Sequence, residues 1–475
     1  MLYCGGVSNL DPTNSELTKL LESFKNKEYK EAERLAIIIS KKFPKHQFSW
    51  KILGALYSQT GRLLESLDAK KKAVDLNPDD HESHYNLGNT LKDLDMLEDA
   101  EVSYRKAILL KPVYAEAYSS LAMTLKSLGR LREAEESYKK AITLNPDFPN
   151  LYYDLGITLK ALGRLEEAEE SYRRAISIKY DFPQAHNNLG TILKELDKID
   201  EAEESYRQAI VFDSSYSQAH INLGGILKDL KKYEEAIKHF DLINTPYTKS
   251  QSLECLYKNE NYIKFNELLN SISLEESINI RVAAVSAFAS HQLKKEDPYE
   301  FCKNPLDFIV VEKLADYDLH WDSLIDEILK ESDNYKLTWE SRTTKNGFQG
   351  PSDIFSKPSE LISKLEFNIR ELVDRYFIKF NSESNVFIKS WPQESKLTGW
   401  FNKLLKNGYQ DSHIHPDGWL SGVFYLETVD LPGNDEGAIE FSLHGYDLPI
   451  IDENYPRKIY NPKKGDIVLF PSSLF

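Results

Sequence analysis

The chain is poor in sulfur, with three cysteines (Cys4, Cys255 and Cys302) and three methionines in 475 residues. Cysteines so few and so scattered exclude a disulfide framework and a zinc cluster, and they fit a reducing cytoplasm. No apolar run reaches the roughly 18 residues a transmembrane helix needs, so no membrane association is expected. The opening MLYCGGVSNLDPTNSE has neither a basic n-region nor an apolar h-region, which excludes a secretory signal there. Positive charge is in deficit: 59 Lys and Arg against 75 Asp and Glu give a net charge of -16. A phosphate backbone would be repelled, so nucleic acid is not an expected partner. The excess acid serves solubility.

The chain is long enough for two or more hydrophobic cores, and its 41% hydrophobic and 12% aromatic content is ample to build them. Its plainest feature is a repeat. Leu53-Gly54, Leu87-Gly88, Leu121-Ala122, Leu155-Gly156, Leu189-Gly190 and Leu223-Gly224 recur every 34 residues. Twelve residues after each of the last five small positions stands Ala100, Ala134, Ala168, Ala202 or Ala236. Four further on come Tyr104, Tyr138, Tyr172, Tyr206 and Phe240, and Ala107, Ala141, Ala175 and Ala209 follow three later. Pro44, Pro78, Pro112 and Pro146 keep the same spacing and end the second helix of their units. The register reaches back to Leu20 and Ala32, which gives seven units over residues 13–246 behind an N-terminal tail, 1–12.

These positions resemble the tetratricopeptide repeat. The resemblance implies an all-α solenoid: small residues let two antiparallel helices approach, an aromatic fills the gap to the next unit, and stacked pairs form a superhelix with a concave groove. On the first helix of each unit, at about 100° per residue, Leu87 and Leu91 point to the core. The opposite face carries a recurring lysine (Lys92, Lys126, Lys160, Lys194, Lys228) and a recurring asparagine (Asn86, Asn188, Asn222). An amide can both donate to and accept from one peptide unit of an extended ligand, and a lysine row would attract acidic groups. The expected partner is a protein or peptide in that groove. Lysine is also simply a good helix former on a solvated face, and this reading stays open. Repeats of this kind also accompany glycosyltransferases, but the strand-rich C-terminus is not the α/β nucleotide-binding domain that alternative needs.

Residues 247–293 stay helical but lose the repeat, and read as a degenerate helical cap. KKEDPYEFCKNPLD marks a linker over 294–304. Residues 305–475 then change texture. LDFIVV, KLTWES, VFIKSW, KLTGWFNKL, WLSGVFYLETV, GAIEFSL and DIVLF read as strands, interrupted by helices at DSLIDEILKES and SELISKLEFNIRELVDRYFIKF. Within them His413, His415 and Asp417 lie at i, i+2 and i+4, which share one face if the segment is extended. Imidazole and carboxylate donors suit Fe(II), and a facial triad leaves three positions open for other ligands. The alternative is a polar loop with surface histidines.

The segments GYQDSHIHPDGWLSGVFYLE, GAIEFSLHGYDLP and NPKKGDIVLFPSSLF resemble 2-oxoglutarate- and Fe(II)-dependent oxygenases that are often fused to such repeats. The resemblance implies a double-stranded β-helix (jelly-roll) with supporting helices. It also implies Fe(II) and 2-oxoglutarate in the complete domain, and hydroxylation that releases succinate and carbon dioxide. The early ligands fall on His415 with either His413 or Asp417, and Tyr425 would face the cosubstrate carboxylate. In that group a distal histidine directly follows the position of FPSSLF, and a basic residue comes further on. Neither is present here. The expectation is a domain incomplete at its C-terminus, a fragment inactive as it stands, with a non-catalytic interaction scaffold as the alternative. His444, the one downstream histidine, lies before the last strand and is a poor substitute.

Overall fold

The computed structural model describes residues 11–475 except 276–277, 315–322, 325, 329–337, 340–343, 351–352, 357, 401, 412, 416 and 429–436. It divides into two compact units, Met1–Asn222 and Leu223–Phe475.

Seven helical hairpins occupy 14–42, 47–76, 81–110, 115–144, 149–178, 183–212 and 217–243. The first six lie in the first unit, and Ser217–Asp229 carries the division. The small residues act within a hairpin, while Tyr104 also shares a buried cluster with Leu121 and Leu125 of the next one. A Cβ on Gly88 would lie 2.7 Å from Cε1 of Tyr104, and Gly156 and Gly190 face Tyr172 and Tyr206 at 2.7 and 2.8 Å. Each tyrosine is thus seated on the glycine of its own hairpin, fully buried, and flanked by alanines that are themselves buried, such as Ala100 and Ala107. Hairpin two departs from this pattern. The residue 34 before Tyr104 is Lys70, whose Cγ lies 2.6 Å from a Cβ built on Gly54. Two further periodic devices hold the first unit together. His84 and His186 donate Nε2–H to the carbonyl oxygens of Pro78 and Tyr180, both at 2.9 Å. On the outer face Arg62, Arg130 and Arg164 reach Glu33, Glu101 and Glu135 of the preceding hairpin at 2.6–2.7 Å. The arginines are exposed and the carboxylates half-buried or buried, and such pairs contribute more as a chain than singly.

In the second unit three helices, Pro246–Lys258, Tyr262–Glu275 and Ile280–Gln292, share one core with the strands. Leu253, Phe265 and Phe288 belong to the same buried cluster as Val310, Phe441, Val468 and Phe475. Gln292 fixes the junction, accepting from the backbone N–H of Ile451 and Asp452 at 2.7 Å and donating to the Asp452 carbonyl at 2.9 Å. Among the described residues eight strands follow: β1 (Val310–Lys313), β2 (Thr338–Trp339), β3 (Thr344–Gln349), β4 (Asn402–Gln410), β5 (Leu420–Phe424), β6 (Ile439–Ser442), β7 (Arg457–Tyr460) and β8 (Asp466–Pro471). They form three antiparallel sheets, ordered β1-β8-β5, β2-β3-β4 and β6-β7. β8 is central and buried at every position, as its run IVLF requires. The long helix expected at SELISKLEFNIRELVDRYFIKF is Glu360–Phe380, capped by the Ser359 side chain. VFIKSW is not a strand: Asn385 caps a short helix, Val386–Lys389, by accepting from the Ile388 N–H at 3.0 Å. In KLTGWFNKL the strand starts only at Asn402. Most of DSLIDEILKES lies outside the described residues. β7 gives no strand signal in the sequence, because RKIY lacks an apolar run, and three of its four residues are exposed.

Candidate functional site

The loop 411–419 joins β4 to β5. Three features pin it. Ile414 is buried. The Trp419 indole N–H donates to the Phe387 carbonyl at 3.0 Å, and its ring packs on Phe387 and edge-on against Phe301. The third is an extension of the β5–β8 ladder: Ser472 N–H donates to Trp419 O and His415 N–H donates to Ser472 O, both at 3.2 Å. Gly418 permits this closure, since a Cβ there would meet Ser472 Oγ at 3.0 Å. His413 and His415 alternate with Ile414, so burying the isoleucine leaves both imidazoles on the other side of the chain.

Their rings are 5.0 Å apart, edge to face, and His415 also lies against Trp400. Nδ1–H of His413 donates to the Asp411 carbonyl at 2.6 Å, which fixes the tautomer and leaves the Nε2 lone pair available. Burial, aided by neighbouring His413, pushes the His415 imidazole down to about 4, so it is neutral near pH 7 and able to donate a lone pair. The Nε2 of His413 and the neutral His415 imidazole, side by side, fit two positions of an iron centre. Asp417 does not join them. Gly418 N–H donates to His415 O at 2.9 Å, so Asp417 sits in a turn and is exposed. Among the described residues no cluster of three metal-ligating side chains is formed.

Tyr425 lies past the end of β5. It exchanges backbone hydrogen bonds with Asp466 and Gly465, six residues along β8 from Ser472, or about 20 Å of strand from the His415 contact. Burial, with Tyr460 and Asp466 beside it, pushes its hydroxyl upward. The strand does not bring it to the histidines. His444 donates Nε2–H to the Leu448 carbonyl at 2.9 Å and packs on Phe288 and Tyr455.

In the repeats the asparagines bond to one another. Asn188 donates to the Tyr153 hydroxyl at 3.2 Å and accepts from Asn187, while Asn222 donates to Asn187 at 2.9 Å and accepts from Gln218. The lysines differ among themselves. Lys160 pairs with Glu195 at 2.8 Å. In the second unit Lys228 pairs with buried Glu254, also at 2.8 Å. Lys92 and Lys126 are half-buried, Lys194 is exposed, and Asn86 is half-buried.

Residues 398–475 match a family model described as "Putative 2OG-Fe(II) oxygenase". Residues 71–102, 123–163, 158–197, 183–215 and 217–242 match tetratricopeptide-repeat models. Among solved structures, MamA is 26% identical over 36% of this chain and 94% of its own, with a TM-score of 0.34. YrrB, described as "a TPR protein with an unusual peptide-binding site", is 25% identical over 37% and 91%, with a TM-score of 0.33. PilF of Pseudomonas aeruginosa is 18% identical over 45% and 97%, with a TM-score of 0.37. No curated protein matches the chain. The chain joins tetratricopeptide repeats to a C-terminal segment of the 2OG-Fe(II) oxygenase family.

Proposed function

We propose that the chain is built as a 2-oxoglutarate- and Fe(II)-dependent hydroxylase whose repeat array docks a protein or peptide, either the substrate itself or a partner that recruits the enzyme. The observation that carries this reading is the histidine pair within the matched family segment, with rings 5.0 Å apart and one lone pair fixed by the His413–Asp411 hydrogen bond. His413 and His415 would hold the metal, which when bound would activate dioxygen alongside 2-oxoglutarate. The loop's own work is positional. Trp419 and Ile414 hold it, Ser472 locks the His415 backbone, and Asp411 orients the His413 ring. The interlinked amides of Asn187, Asn188 and Asn222 would meet the backbone of an extended peptide, with Asn86, Lys92, Lys126 and Lys194 along the same face. Buried, unpaired thiols at Cys255 and Cys302 suit a reducing compartment such as the cytoplasm.

The test is metal binding by the purified chain, followed with Co(II) as a spectroscopic substitute for Fe(II). His413→Ala and His415→Ala should each weaken binding by more than tenfold, while His444→Ala should leave it unchanged. Binding that survives both substitutions would remove the enzymatic reading. Succinate formation with Fe(II) and 2-oxoglutarate together, against each omitted, is the readout for turnover.

A further inference from the structure

The second helices of hairpins three, four and five, Leu97–Leu110, Leu131–Leu144 and Leu165–Ile178, follow one another along the outer face of the first unit. The first of them begins an apolar stripe in which Val102, Leu109 and Val113 are 68%, 72% and 71% exposed. The repeat shows what these positions ordinarily hold. Val102 takes the place of Asp68, Glu136, Glu170 and Glu204, and Val113 that of Asp79, Asp147, Asp181 and Ser215. Leu109 takes the place of Asp75, Thr143, Ser177 and Val211. Hairpin three alone is apolar at all three, with side chains that reach no core. Beside the stripe a cleft of about 710 Å³ opens between the second helices of hairpins four and five, floored by Ile142, Tyr152, Leu155 and Leu159. One hairpin on, rings fill the corresponding space. His186 stands at the position of Tyr152 and Phe212 at that of Ile178, and the two stack with centroids 5.5 Å apart. Among the described residues Tyr152 meets no other ring, and the Arg174 guanidinium lies over it at 5.8 Å.

A contiguous exposed apolar stripe marks a contact surface. The cleft answers it in chemistry, an aliphatic floor for aliphatic side chains. Charge answers as well. Lys106, on the helix face between Val102 and Leu109, forms no ion pair among the described residues, and neither does Glu170 on the cleft rim. The rim cations Lys139 and Arg173 are already paired, with Glu135 at 2.6 Å and Glu169 at 2.9 Å. Within one copy the stripe cannot enter the cleft, because both are fixed side by side on the same face. A two-fold axis lying in that face, across the run of helices, exchanges hairpin three with the cleft between hairpins four and five. We propose that the chain forms an isologous dimer through this outer face, the stripe of each copy seated in the cleft of the other. The pairing sets Lys106 of one copy toward Glu170 of the other. One stripe of three side chains is small against the roughly 1,200–2,000 Å² that specific interfaces bury, and the two-fold doubles the contact. A foreign partner would account for the stripe alone, whereas a second copy accounts for stripe and cleft together. The dimer depends on neither the iron site nor the peptide groove.

Sedimentation equilibrium of the full chain is the test. The wild type is expected at twice the chain mass, dissociating on dilution. Val102→Glu/Leu109→Thr/Val113→Asp installs the residues that hairpin four carries as Glu136, Thr143 and Asp147, so the repeat itself guards against misfolding. It should weaken association by about a hundredfold. Tyr152→His/Ile178→Phe installs the ring pair of hairpin six, fills the cleft, and should weaken association to a similar degree. Thermal melts followed by circular dichroism check that both variants fold. Mixing the two variants reads the geometry. A mixed dimer keeps one intact stripe in one intact cleft, so native mass spectrometry should find it more populated than the dimer of either variant alone. A wild type that stays monomeric at the highest attainable concentration would overturn the proposal, as would a stripe variant that dimerises like the wild type. A cleft variant that dimerises like the wild type, or a mixture that forms no excess of mixed dimer, would mean that the stripe does not enter the cleft, and would overturn it equally.

Discussion

The two halves of this chain encode structure in different ways. In the array every role recurs, so the backbone environment of Tyr104 is met again at Tyr138, Tyr172 and Tyr206, and each solution involves one hairpin and its neighbour. In the C-terminal unit nothing recurs. β1 pairs with β8 across some 150 residues, and the histidine loop is held by Phe387, Phe301 and Ser472, none of them near it in sequence. Damage should therefore stay local in the first case and spread in the second. Tyr172→Ala empties a fully buried site and should destabilise by about 3–5 kcal/mol, with loss of amide hydrogen-exchange protection confined to the fifth hairpin and its neighbours. Trp419→Ala should cost a similar amount, yet lower protection through β5, β8 and the helix Val386–Lys389 together, and release the histidine pair so that metal binding falls. Equal spread in both variants would break the contrast.

That contrast also decides what the sequence could disclose. Seven helical pairs follow directly from the 34-residue spacing, and β8 follows from IVLF. The histidine pair was visible as a motif, because His413 and His415 sit two residues apart in one short segment. The turn that removes Asp417 was not, since it depends on Gly418 closing over Ser472 from a distant strand. Tyr425 was assigned by analogy with a following strand, while the ladder sets it against Asp466 at the other end. In the array the missed features are those that cross between hairpins or break the pattern. Arg164 and Glu135 lie 29 residues apart, a spacing without meaning until hairpins are stacked. Lys70 gives no signal in the sequence, because the recurring aromatic begins one unit later, at Tyr104.

Lys70 offers a second way to sharpen the comparison, since it is an exception inside the repetitive half. Burial pushes its ammonium down to about 8 from a usual 10.5. In the unfolded chain it would keep its proton up to the ordinary value. Between pH 8 and 10.5 the unfolded state therefore binds more protons than the folded one, and stability rises with pH through this window. Below pH 8 the buried charge opposes folding by up to about 3 kcal/mol, the equivalent of the shift at 1.36 kcal/mol per pH unit. Lys70→Met, which keeps the volume and removes the charge, should raise stability by up to that amount at pH 7 and by much less near pH 10.5, in urea melts run across pH. A gain that did not shrink with pH would assign the effect to packing instead.

The smallest expected effect is the most discriminating, because it separates two residues that the repeat makes equivalent. Tyr104 and Tyr138 occupy the same position in consecutive hairpins, and both are fully buried. The Tyr104 hydroxyl donates to Asn89 at 2.8 Å. The Tyr138 hydroxyl is buried with no partner among the described residues, beside Ser120's helix rather than an amide, since Ala122 and Met123 hold the places of Gly88 and Asn89. Removing a satisfied hydroxyl loses about 1 kcal/mol and also strands its acceptor, whereas removing an unsatisfied one relieves a desolvation penalty. Tyr104→Phe should therefore destabilise by about 1 kcal/mol, and Tyr138→Phe should be neutral or stabilising, in paired denaturant melts at one pH. Opposite signs at one repeat position would show that the shared fold comes from the glycine-or-alanine and ring packing. The hydroxyl would then be free to serve whatever each groove position must recognise. Equal losses would make the hydroxyl part of the scaffold.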